Sequence, residues 1–526
     1  MNIAAVLRER ALDSGEMPAI VESNRTVTFG DLDRVAASVA QQLHAAGIQA
    51  GDRVFVFCPM SIALYATLVG LWRVGGVAML LDPSAGRDHI ERCCRMAAPD
   101  ALIATPRAHM LRLLSPALRR IPIALSIGRW MPGAVTLHVA ERREADRTIA
   151  PAAADTPALI TFTSGSTGQP KAAIRSHGFL LAQHRVLADD LNLRRGQRDL
   201  AALPIFVLAN LASAVTSIIP DVDLRRPGDI DAARLLRQVR RVRPTRVAAS
   251  PALLERLARH VEARRETIAE LDAVYTGGAP VFPRLLRRLQ TVAPAAEVYA
   301  VYGSTEAEPI AKIGWSDIAS EDFRAMESGA GLLVGPPVAA IDLRILPDRW
   351  GTPIAPYAVA DFERETLPGG GRGEIVVAGD HVLSGYLDGK GDAETKFRVG
   401  DTVWHRTGDA GYLDARGRLW LLGRCSATLS DEQGAVYPFA AECAALAIDG
   451  VRRCALVHHN GARVMAVELE GLSHDEARRI LRSQLAWARL HDVIVVERLP
   501  MDKRHNAKID YPALQKMLAS RRARRS

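Results

Sequence analysis

The stretch LITFTSGSTGQPK, residues 159–171, decides how the rest of the chain is interpreted. Its apolar start predicts a buried strand, and TSGSTGQPK then supplies hydroxyl side chains, two glycines and Lys171. Glycines let backbone N–H groups turn toward an anion, hydroxyls add donors, and lysine adds a positive charge. The stretch therefore predicts a phosphate-binding loop after a strand, with a flexible surface loop as the alternative.

Lysine is rare in this chain, which draws attention to the places where it occurs. Only seven of the 67 basic residues are lysines, and the first 170 residues contain none. A lysine among so many arginines indicates a need for a compact ammonium group with rotatable donors. We therefore single out Lys171 and Lys508 as candidate functional residues.

Four further segments carry residue types suited to binding and chemistry. VYTGGAPV and VYGSTEAEP each end a predicted strand with a glycine-containing turn, which is where ligands sit in an open α/β sheet. The other two segments add an acidic residue, an arginine and a lysine. The four segments are VYTGGAPV (274–281), VYGSTEAEP (301–309), HRTGDAGYLDARGRLWLLGR (405–424) and NAKI (506–509).

Three different patterns of strand-like and helix-like runs along the chain predict its domain organisation. Strand-like runs such as RVFVF alternate with helix-like runs such as PALLERLARHVEA over about the first 420 residues, which predicts α/β layers with largely parallel sheets. Short strands with Gly and Asp turns over about 329–424 predict an antiparallel, β-rich subdomain. We predict a large N-terminal domain over 1–424 and a small α+β lid domain over 425–526, joined by a tight hinge near Arg424.

Taken together and in this order, the five segments resemble the adenylate-forming superfamily of acyl-CoA synthetases, peptide-synthetase adenylation domains and luciferases. The resemblance covers essentially the whole chain. It implies an enzyme that uses ATP and Mg²⁺ to convert a carboxylic acid to an acyl-AMP with release of pyrophosphate.

The resemblance also implies a role for each matching position. Lys508 matches the catalytic lysine of the small domain, Glu306 the Mg²⁺-binding glutamate, and Thr305 a residue beside the α-phosphate. Asp409 matches the carboxylate that holds the ribose hydroxyls, with Arg424 beside it. Tyr302 matches the ring that stacks on adenine, next to Gly303 and Ser304. The remaining matches are the phosphate loop, Thr163, Ser164, Gly165, Ser166, Thr167, Gly168 and Lys171, and the adenine wall, Gly278, Ala279 and Pro280.

Three positions depart from the family pattern. Ser426 stands where a charged hinge residue is usual, which puts the domain rotation used for thiol capture in doubt. Val207, after Phe206, stands where many members have a histidine or an aromatic residue, and the pair predicts a wide apolar acyl pocket. Glu308 stands where we expect an apolar residue, which leaves the identity of the acid open.

Several segments, among them LPIFVLAN and MDKRHNAKI, resemble the olefin-pathway β-lactone synthetases more than ordinary CoA ligases. In that branch the β-hydroxyl of the substrate attacks the acyl phosphate and closes a lactone. One alternative is a fatty acyl-CoA or acyl-carrier-protein ligase, for which CoA or a carrier protein would be a partner. A more remote alternative is a nucleotide-binding scaffold without turnover, against which Lys171, Glu306, Asp409 and Lys508 argue.

Composition and charge limit the partners and the cellular location that we expect for the protein. The net charge is +8, but basic residues do not alternate with aromatic ones, so we expect no nucleic-acid partner. Six cysteines without regular spacing and an N-terminus without a secretory pattern predict reduced thiols and a cytoplasmic protein. Enzymes of a hydrocarbon or lipid pathway are candidate binding partners. Membrane contact is expected to be peripheral at most, through the basic tail RRARRS (521–526).

Two uncharged runs, 54–72 and 201–220, are long enough to cross a membrane. Each has a proline near its start, Pro59 or Pro204, which predicts a break into a short strand-like piece and a helix of ordinary core length. We therefore expect neither run to span a bilayer.

Overall fold

A computed structural model describes residues 1–81, 86–140, 146–164, 170–501 and 509–523. Strands and helices are numbered along the chain. The strands are β1 (Pro18–Glu22), β2 (Arg25–Thr28), β3 (Arg53–Phe57), β4 (Val77–Leu80), β5 (Ala101–Ala104), β6 (Ile123–Ile127), β7 (Val135–Leu137), β8 (Pro157–Ser164), β9 (Pro170–Ser176), β10 (Arg198–Ala201), β11 (Thr216–Ile219), β12 (Arg246–Ala249), β13 (Ala273–Gly277), β14 (Glu297–Ser304), β15 (Ala307–Gly314), β16 (Leu332–Gly335), β17 (Asp342–Leu346), β18 (Gly373–Ala378), β19 (Lys396–Val399), β20 (Thr402–Leu413), β21 (Leu419–Arg424), β22 (Leu429–Asp431), β23 (Gly434–Val436), β24 (Val451–His459), β25 (Ala462–Leu469) and β26 (Asp492–Val495).

The helices cover the predicted helix-like runs and add several short ones. They are α1 (Ala4–Asp13), α2 (Phe29–Ala45), α3 (Ile62–Arg73), α4 (Arg87–Ala97), α5 (Pro106–His109), α6 (Leu111–Leu114), α7 (Pro116–Arg119), α8 (His177–Asp190), α9 (Pro204–Ala212), α10 (Ala232–Val242), α11 (Pro251–Ala263), α12 (Pro283–Val292), α13 (Ser320–Glu327), α14 (Val359–Glu365), α15 (Asp392–Thr395), α16 (Pro438–Leu446), α17 (His474–Gln484) and α18 (Tyr511–Ala523).

Two mixed sheets make up most of the N-terminal part. The first has the order β7-β6-β5-β3-β4-β8-β9, and all its pairs are parallel except β8 with β9. The second has the order β15-β14-β13-β12-β10-β11-β1-β2, with antiparallel pairs only at its two ends. Helices cover strands that are buried on both faces, as parallel strands require. This is the layered α/β architecture that the alternating pattern predicts.

The sheet order explains why distant motifs meet. β13 and β14 are neighbours, with Gly277 paired to Val301, so their carboxyl ends lie side by side. VYTGGAPV and VYGSTEAEP span these two ends. Gly277 has to be a glycine at this point because an added Cβ would lie 2.6 Å from the carbonyl oxygen of Val301.

A third sheet is antiparallel, as predicted for the β-rich region. Its order is β16-β21-β20-β18-β17, and β19 pairs with β20. Within it Asp409 of β20 is the direct partner of Arg424 of β21. The pairing places two of the predicted nucleotide-binding side chains on adjacent strands.

The C-terminal part has apolar cores of its own. β24, β25 and β26 form a three-stranded sheet that packs with α16, α17 and α18 around two clusters of buried residues. Arg284 of α12 donates to the carbonyls of Val451 and Arg452, at 2.6 Å in both cases, and so ties this part to the second sheet. The α+β character agrees with the prediction, and the domain boundary at Arg424 stays a prediction.

The first uncharged run breaks where its proline predicts, since residues 54–72 divide into β3 and α3. In the second run Pro204 starts α9 as predicted, but a further break at residues 213–215, which the proline did not predict, separates α9 from β11. None of the helices in the described ranges combines the length and apolar character needed to cross a membrane. All six cysteines are free thiols.

Candidate active site

One cavity of about 1930 Å³ brings most of the predicted site residues together. It lies between the two mixed sheets, the antiparallel sheet and the C-terminal part. Twelve predicted residues line it: Thr163, Lys171, Gly278, Ala279, Pro280, Tyr302, Gly303, Ser304, Thr305, Glu306, Asp409 and Arg424.

Two antiparallel strands, β8 and β9, flank the predicted phosphate loop in the sequence. Thr163 pairs with Lys171 in the antiparallel register, so both ends of the loop are fixed by strand hydrogen bonding. The predicted residues Gly165, Ser166, Thr167 and Gly168 lie outside the described residues, as does Lys508. Ser164 ends the strand that leads into the loop.

Lys171 is held in place from three sides. Its ammonium group lies 2.7 Å from Oε2 of Glu394 and 5.6 Å from the centre of the Tyr386 ring. Its aliphatic stem packs over Gly391, where an added Cβ would lie 2.8 Å from Cδ of the lysine. The charge is thus paired but still faces the cavity, where a phosphate could replace or join Glu394 as its partner.

Tyr302, Asp409 and Arg424 form a connected polar unit. The Tyr302 hydroxyl donates to Oδ2 of Asp409 at 2.8 Å, and Nε of Arg424 lies 3.2 Å from Oδ1 of the same carboxylate. Arg424 also donates to the carbonyl of Thr407 at 2.9 Å. The carboxylate of Asp409 raises the pKa of Arg424. The unit presents an oriented carboxylate beside an aromatic ring at the wall of the cavity.

Glu306 lies at the charged centre of the cavity. Its Oε1 accepts a hydrogen bond from the Tyr386 hydroxyl at 2.8 Å, and its backbone carbonyl accepts one from the amide of Leu383 at 2.7 Å. Burial acts to raise the pKa of Glu306, but His405, the Tyr386 hydroxyl and the Lys396 ammonium outweigh it and lower the pKa. The side chain is therefore a carboxylate at neutral pH.

An ionised carboxylate fits Mg²⁺, which prefers oxygen ligands and usually takes one or two carboxylates together with phosphate oxygens and water. Within the described residues no group of three or more His, Cys, Asp or Glu could hold a metal ion by itself. Glu306 therefore suits a cation that arrives with a phosphate-bearing substrate.

Two residues near Glu306 were not predicted from the sequence. Lys396 donates to the carbonyl of Leu383 and lies 5.6 Å from the centre of the Tyr386 ring. Burial lowers the pKa of Lys396 to about 7, although the carboxylate of Glu306 opposes this. His405 is buried, with Nδ1 donating to the carbonyl of Thr395 at 3.2 Å, and burial lowers its pKa to about 3. The rarity of lysine was the one signal that could have identified Lys396.

Arg175, also not predicted, connects the two mixed sheets beneath the site. It donates from β9 to the carbonyl of Thr305 at 2.6 Å and to the hydroxyl of Thr161 at 2.9 Å. It thereby fixes the turn between β14 and β15 that presents Thr305 and Glu306.

The face of α9 that lines the apolar part of the cavity is not the face that was predicted. Phe206 and Val207 are buried in a hydrophobic core that includes strands of both mixed sheets, and neither lines the cavity. Ile205 and Leu208, three positions apart and hence on one helix face, line the cavity. Other apolar residues on this wall are Met60, Leu68, Leu203, Val222 and Leu224.

Proteins of known function are similar to this chain over most of its length. The chain is 34% identical to the olefin β-lactone synthetase of Stenotrophomonas maltophilia over 97% of this chain and 96% of that protein. It is 27% identical to the long-chain-fatty-acid–CoA ligase FadD13 of Mycobacterium tuberculosis over 87% of this chain and 85% of that protein.

Solved structures share the fold of this chain. The amide bond synthetase McbA from Marinactinospora thermotolerans superposes with a TM-score of 0.81 at 23% identity and covers 98% of this chain and 99% of its own. The sequence model for AMP-binding enzymes matches residues 7–387. The resemblance inferred from the five sequence segments is confirmed, and the chain belongs to the AMP-binding enzyme family.

Proposed function

We propose that this enzyme uses ATP to adenylate a β-hydroxy fatty acid and then closes the acyl-AMP to a β-lactone with release of AMP. The observation that carries the proposal is one continuous cavity, which joins a charged end around Lys171, Glu306 and Asp409 to an apolar wall around Ile205 and Leu208. An acid with a long apolar chain can place its carboxylate at the charged end while its chain leaves water.

In the proposed nucleotide complex Tyr302 lies against the adenine, and Asp409 accepts hydrogen bonds from the ribose hydroxyls. The hydrogen bond from Tyr302 and the ion pair with Arg424 orient the carboxylate for this task. Lys171 and the loop 163–168 bind the phosphates. Glu306 would hold Mg²⁺, which supplies positive charge to the phosphates, and residues 425–526 act as the lid that brings Lys508 to the reacting groups.

In the first step a carboxylate oxygen forms a bond to the α-phosphorus of ATP, and the bond from that phosphorus to the pyrophosphate oxygen breaks. The reaction brings two anions together, so positioning and charge neutralisation account for most of the catalysis. Lys508 would neutralise charge on both reactants, and Lys171 would stabilise the departing pyrophosphate.

In the second step the β-hydroxyl oxygen attacks the acyl carbon, its proton passes to a base or solvent, and the bond from the acyl carbon to AMP breaks. The nucleophile is held on the same molecule, which gives it a large effective concentration. Ser426 supports this step because it replaces the usual charged hinge residue, so capture by an external thiol after a domain rotation is disfavoured. The 34% identity to a β-lactone synthetase supports it as well.

A fatty acyl-CoA or carrier-protein ligase is the second candidate. It would use the same nucleotide-binding residues, and the 27% identity to a long-chain-fatty-acid–CoA ligase favours it. Arg452 and Arg453 on the cavity wall could also attract the phosphates of CoA.

Pyrophosphate and AMP release with decanoic and 3-hydroxydecanoic acids, each with and without CoA, separates the candidates. A lactone-forming enzyme should release AMP repeatedly with the 3-hydroxy acid alone, and a ligase should require CoA with both acids. A scaffold should release nothing. Lys390→Ala is a suitable control for a variant of Lys508, because Lys390 is exposed and paired only with Asp388 among the described residues.

A further inference from the structure

Exposed apolar side chains are concentrated on one small surface of the molecule. Nine large apolar side chains are exposed in the described ranges, and five of them fall between residues 110 and 135. Leu113, Leu114 and Trp130 are 66%, 60% and 72% exposed. We call this surface the α6 patch, and its apolar members are Met110, Leu113, Leu114, Trp130 and Val135.

The members of the α6 patch lie together in the fold and not only in sequence. Nη1 of Arg112 in α6 donates to the carbonyl of Gly133 at 3.2 Å, which ties α6 to the turn that carries Trp130. The ring of His109 in α5 is hydrogen-bonded to the carbonyl of Leu125 in β6 at 2.9 Å. A bridge between Met131 and Ala134 closes the turn just before Val135.

The α6 patch is also strongly basic. Residues 101–140 contain no aspartate or glutamate, although the chain has 59 acidic residues in all. The same stretch contains five arginines, which are Arg107, Arg112, Arg119, Arg120 and Arg129. The nearby helix α4 adds Asp88 and Glu91, but Glu91 is engaged by the Ser115 hydroxyl at 2.5 Å, and three arginines accompany these acids.

The cavity reaches the α6 patch. Arg107, Leu111 and Leu114 all belong to its lining, and Leu114 is at the same time exposed to solvent. A molecule at the patch therefore has access to the space that leads to Lys171 and Glu306.

We propose that the α6 patch docks onto an anionic lipid bilayer, so that an apolar carboxylic acid can pass from the bilayer into the cavity. Exposed tryptophan and leucine side chains insert at a bilayer interface, and arginines beside them are attracted to anionic headgroups. A second copy of the chain is a poor occupant, because a two-fold interface would bring the same five arginines against each other.

The test is co-sedimentation of the full chain with vesicles of POPC and POPG in a 7:3 ratio and with vesicles of POPC alone. We expect binding to the anionic vesicles that falls with salt, and a decrease of about tenfold in Leu113→Ser/Trp130→Ser. Arg119→Glu/Arg120→Glu, which leaves the apolar residues in place, should weaken binding by a similar factor. Leu12→Ser/Val359→Ser removes equally exposed apolar residues elsewhere and should bind like the parent.

The proposal is overturned if the parent does not bind, if the patch and control variants lose binding equally, or if deletion of residues 521–526 alone abolishes it. It is also overturned if the patch variants change only self-association, measured by light scattering. Thermal unfolding checks that each variant is folded. Binding is measured without ATP or acid, so the result is independent of the proposed reaction.

Discussion

At the scale of single residues, Tyr386 organises the charged end of the cavity. Its hydroxyl donates to Glu306, and the ammonium groups of Lys171 and Lys396 each lie 5.6 Å from the centre of its ring. Cation–π attraction to the Lys171 ammonium stabilises the Tyr386 ring, and the Tyr386 hydroxyl orients the carboxylate that would hold Mg²⁺. The effect of the Glu306 carboxylate on Mg²⁺ binding can therefore be measured separately from the effect of the hydrogen bond that Tyr386 donates to it.

Glu306→Gln should raise the Mg²⁺ concentration for half-maximal pyrophosphate release by about tenfold or more, because it removes the carboxylate that would bind the cation. Tyr386→Phe retains the carboxylate and should cause a smaller shift of about threefold, from the loss of one hydrogen bond to a charged group. Glu363→Gln, on the surface of α14, serves as the control. If the three Mg²⁺ titrations coincide, Glu306 has no role in binding the metal.

Lys508→Ala should reduce the rate of acyl-AMP formation by about 100-fold or more and leave ATP affinity nearly unchanged. We expect this because the ammonium group would act on charge that develops in the transition state and not on the bound nucleotide. Single-turnover acyl-AMP formation and equilibrium ATP binding are the two measurements, with Lys390→Ala as the control. Near-normal acyl-AMP formation in the variant would refute the assignment of Lys508.

At the scale of elements, the packing of α3 against α2 sets the position of one apolar wall of the cavity. Gly70 in α3 lies so close to α2 that an added Cβ would be 2.6 Å from Cγ1 of Val39 and 3.0 Å from the carbonyl of Ala36. Tyr65 and Leu68 on the same helix line the cavity, and the Tyr65 hydroxyl donates to the carbonyl of Pro204 at the start of α9. A displacement of α3 would therefore move the apolar wall of the cavity.

Gly70→Ala should lower the free energy of unfolding by about 1–3 kcal/mol, because the added methyl group overpacks a helix contact that involves backbone on one side. Gly369→Ala is the matched control, since nothing lies within 4 Å of its added Cβ, and it should change stability by less than about 0.5 kcal/mol. Denaturant unfolding measures both. Equal stability of the two variants would show that α2 and α3 can separate without cost.

Helices and strands with a clear periodicity of apolar residues could be predicted from the sequence. The contacts between elements that are distant in sequence could not. The run PALLERLARHVEA coincides with α11, because its helical periodicity begins at a proline in the first turn. The cavity-facing side of α9 was not predictable, since Phe206, Val207, Ile205 and Leu208 are all apolar. Tyr386 and Lys396 carry no motif of their own, and they reach the site only through contacts such as the bridge from Tyr386 to Ala173.

At the scale of the whole molecule, the C-terminal part contains a buried carboxyl group that couples its stability to pH. Oε1 of Glu442 accepts hydrogen bonds from the Tyr511 hydroxyl at 2.6 Å and from the amide of Leu456 at 3.1 Å. Burial raises the pKa of Glu442 from 4.5 to about 7, although both hydrogen bonds oppose this. The group therefore stays protonated in the folded protein at pH values where the unfolded chain has released the proton.

The sign of the effect follows from these two pKa values. Between pH 4.5 and about 7 the folded state binds more protons than the unfolded state, so stability falls as pH rises, by up to about 3 kcal/mol. Glu442→Gln should remove this fall and be more stable than the parent at pH 8, with little difference at pH 4.5.

Thermal unfolding of the C-terminal part at pH 4.5, 6 and 8 measures the effect of Glu442→Gln. Glu470→Gln is the control, because the exposed Glu470 pairs with Arg259, which lowers its pKa, so its contribution is lost only under acidic conditions. An unchanged pH profile in Glu442→Gln would show that this carboxyl group titrates normally.

The central claim for the molecule is that the acceptor of the activated acyl group is the substrate's own β-hydroxyl. The most direct test is mass spectrometry of the products formed from 3-hydroxydecanoic acid and ATP with Mg²⁺ and no thiol. We predict multiple turnovers, with AMP released and a product lighter than the acid by one water, unchanged when CoA is added. Accumulation of the acyl-AMP without turnover until CoA or a carrier-protein thiol is supplied would contradict the claim and identify the enzyme as a ligase.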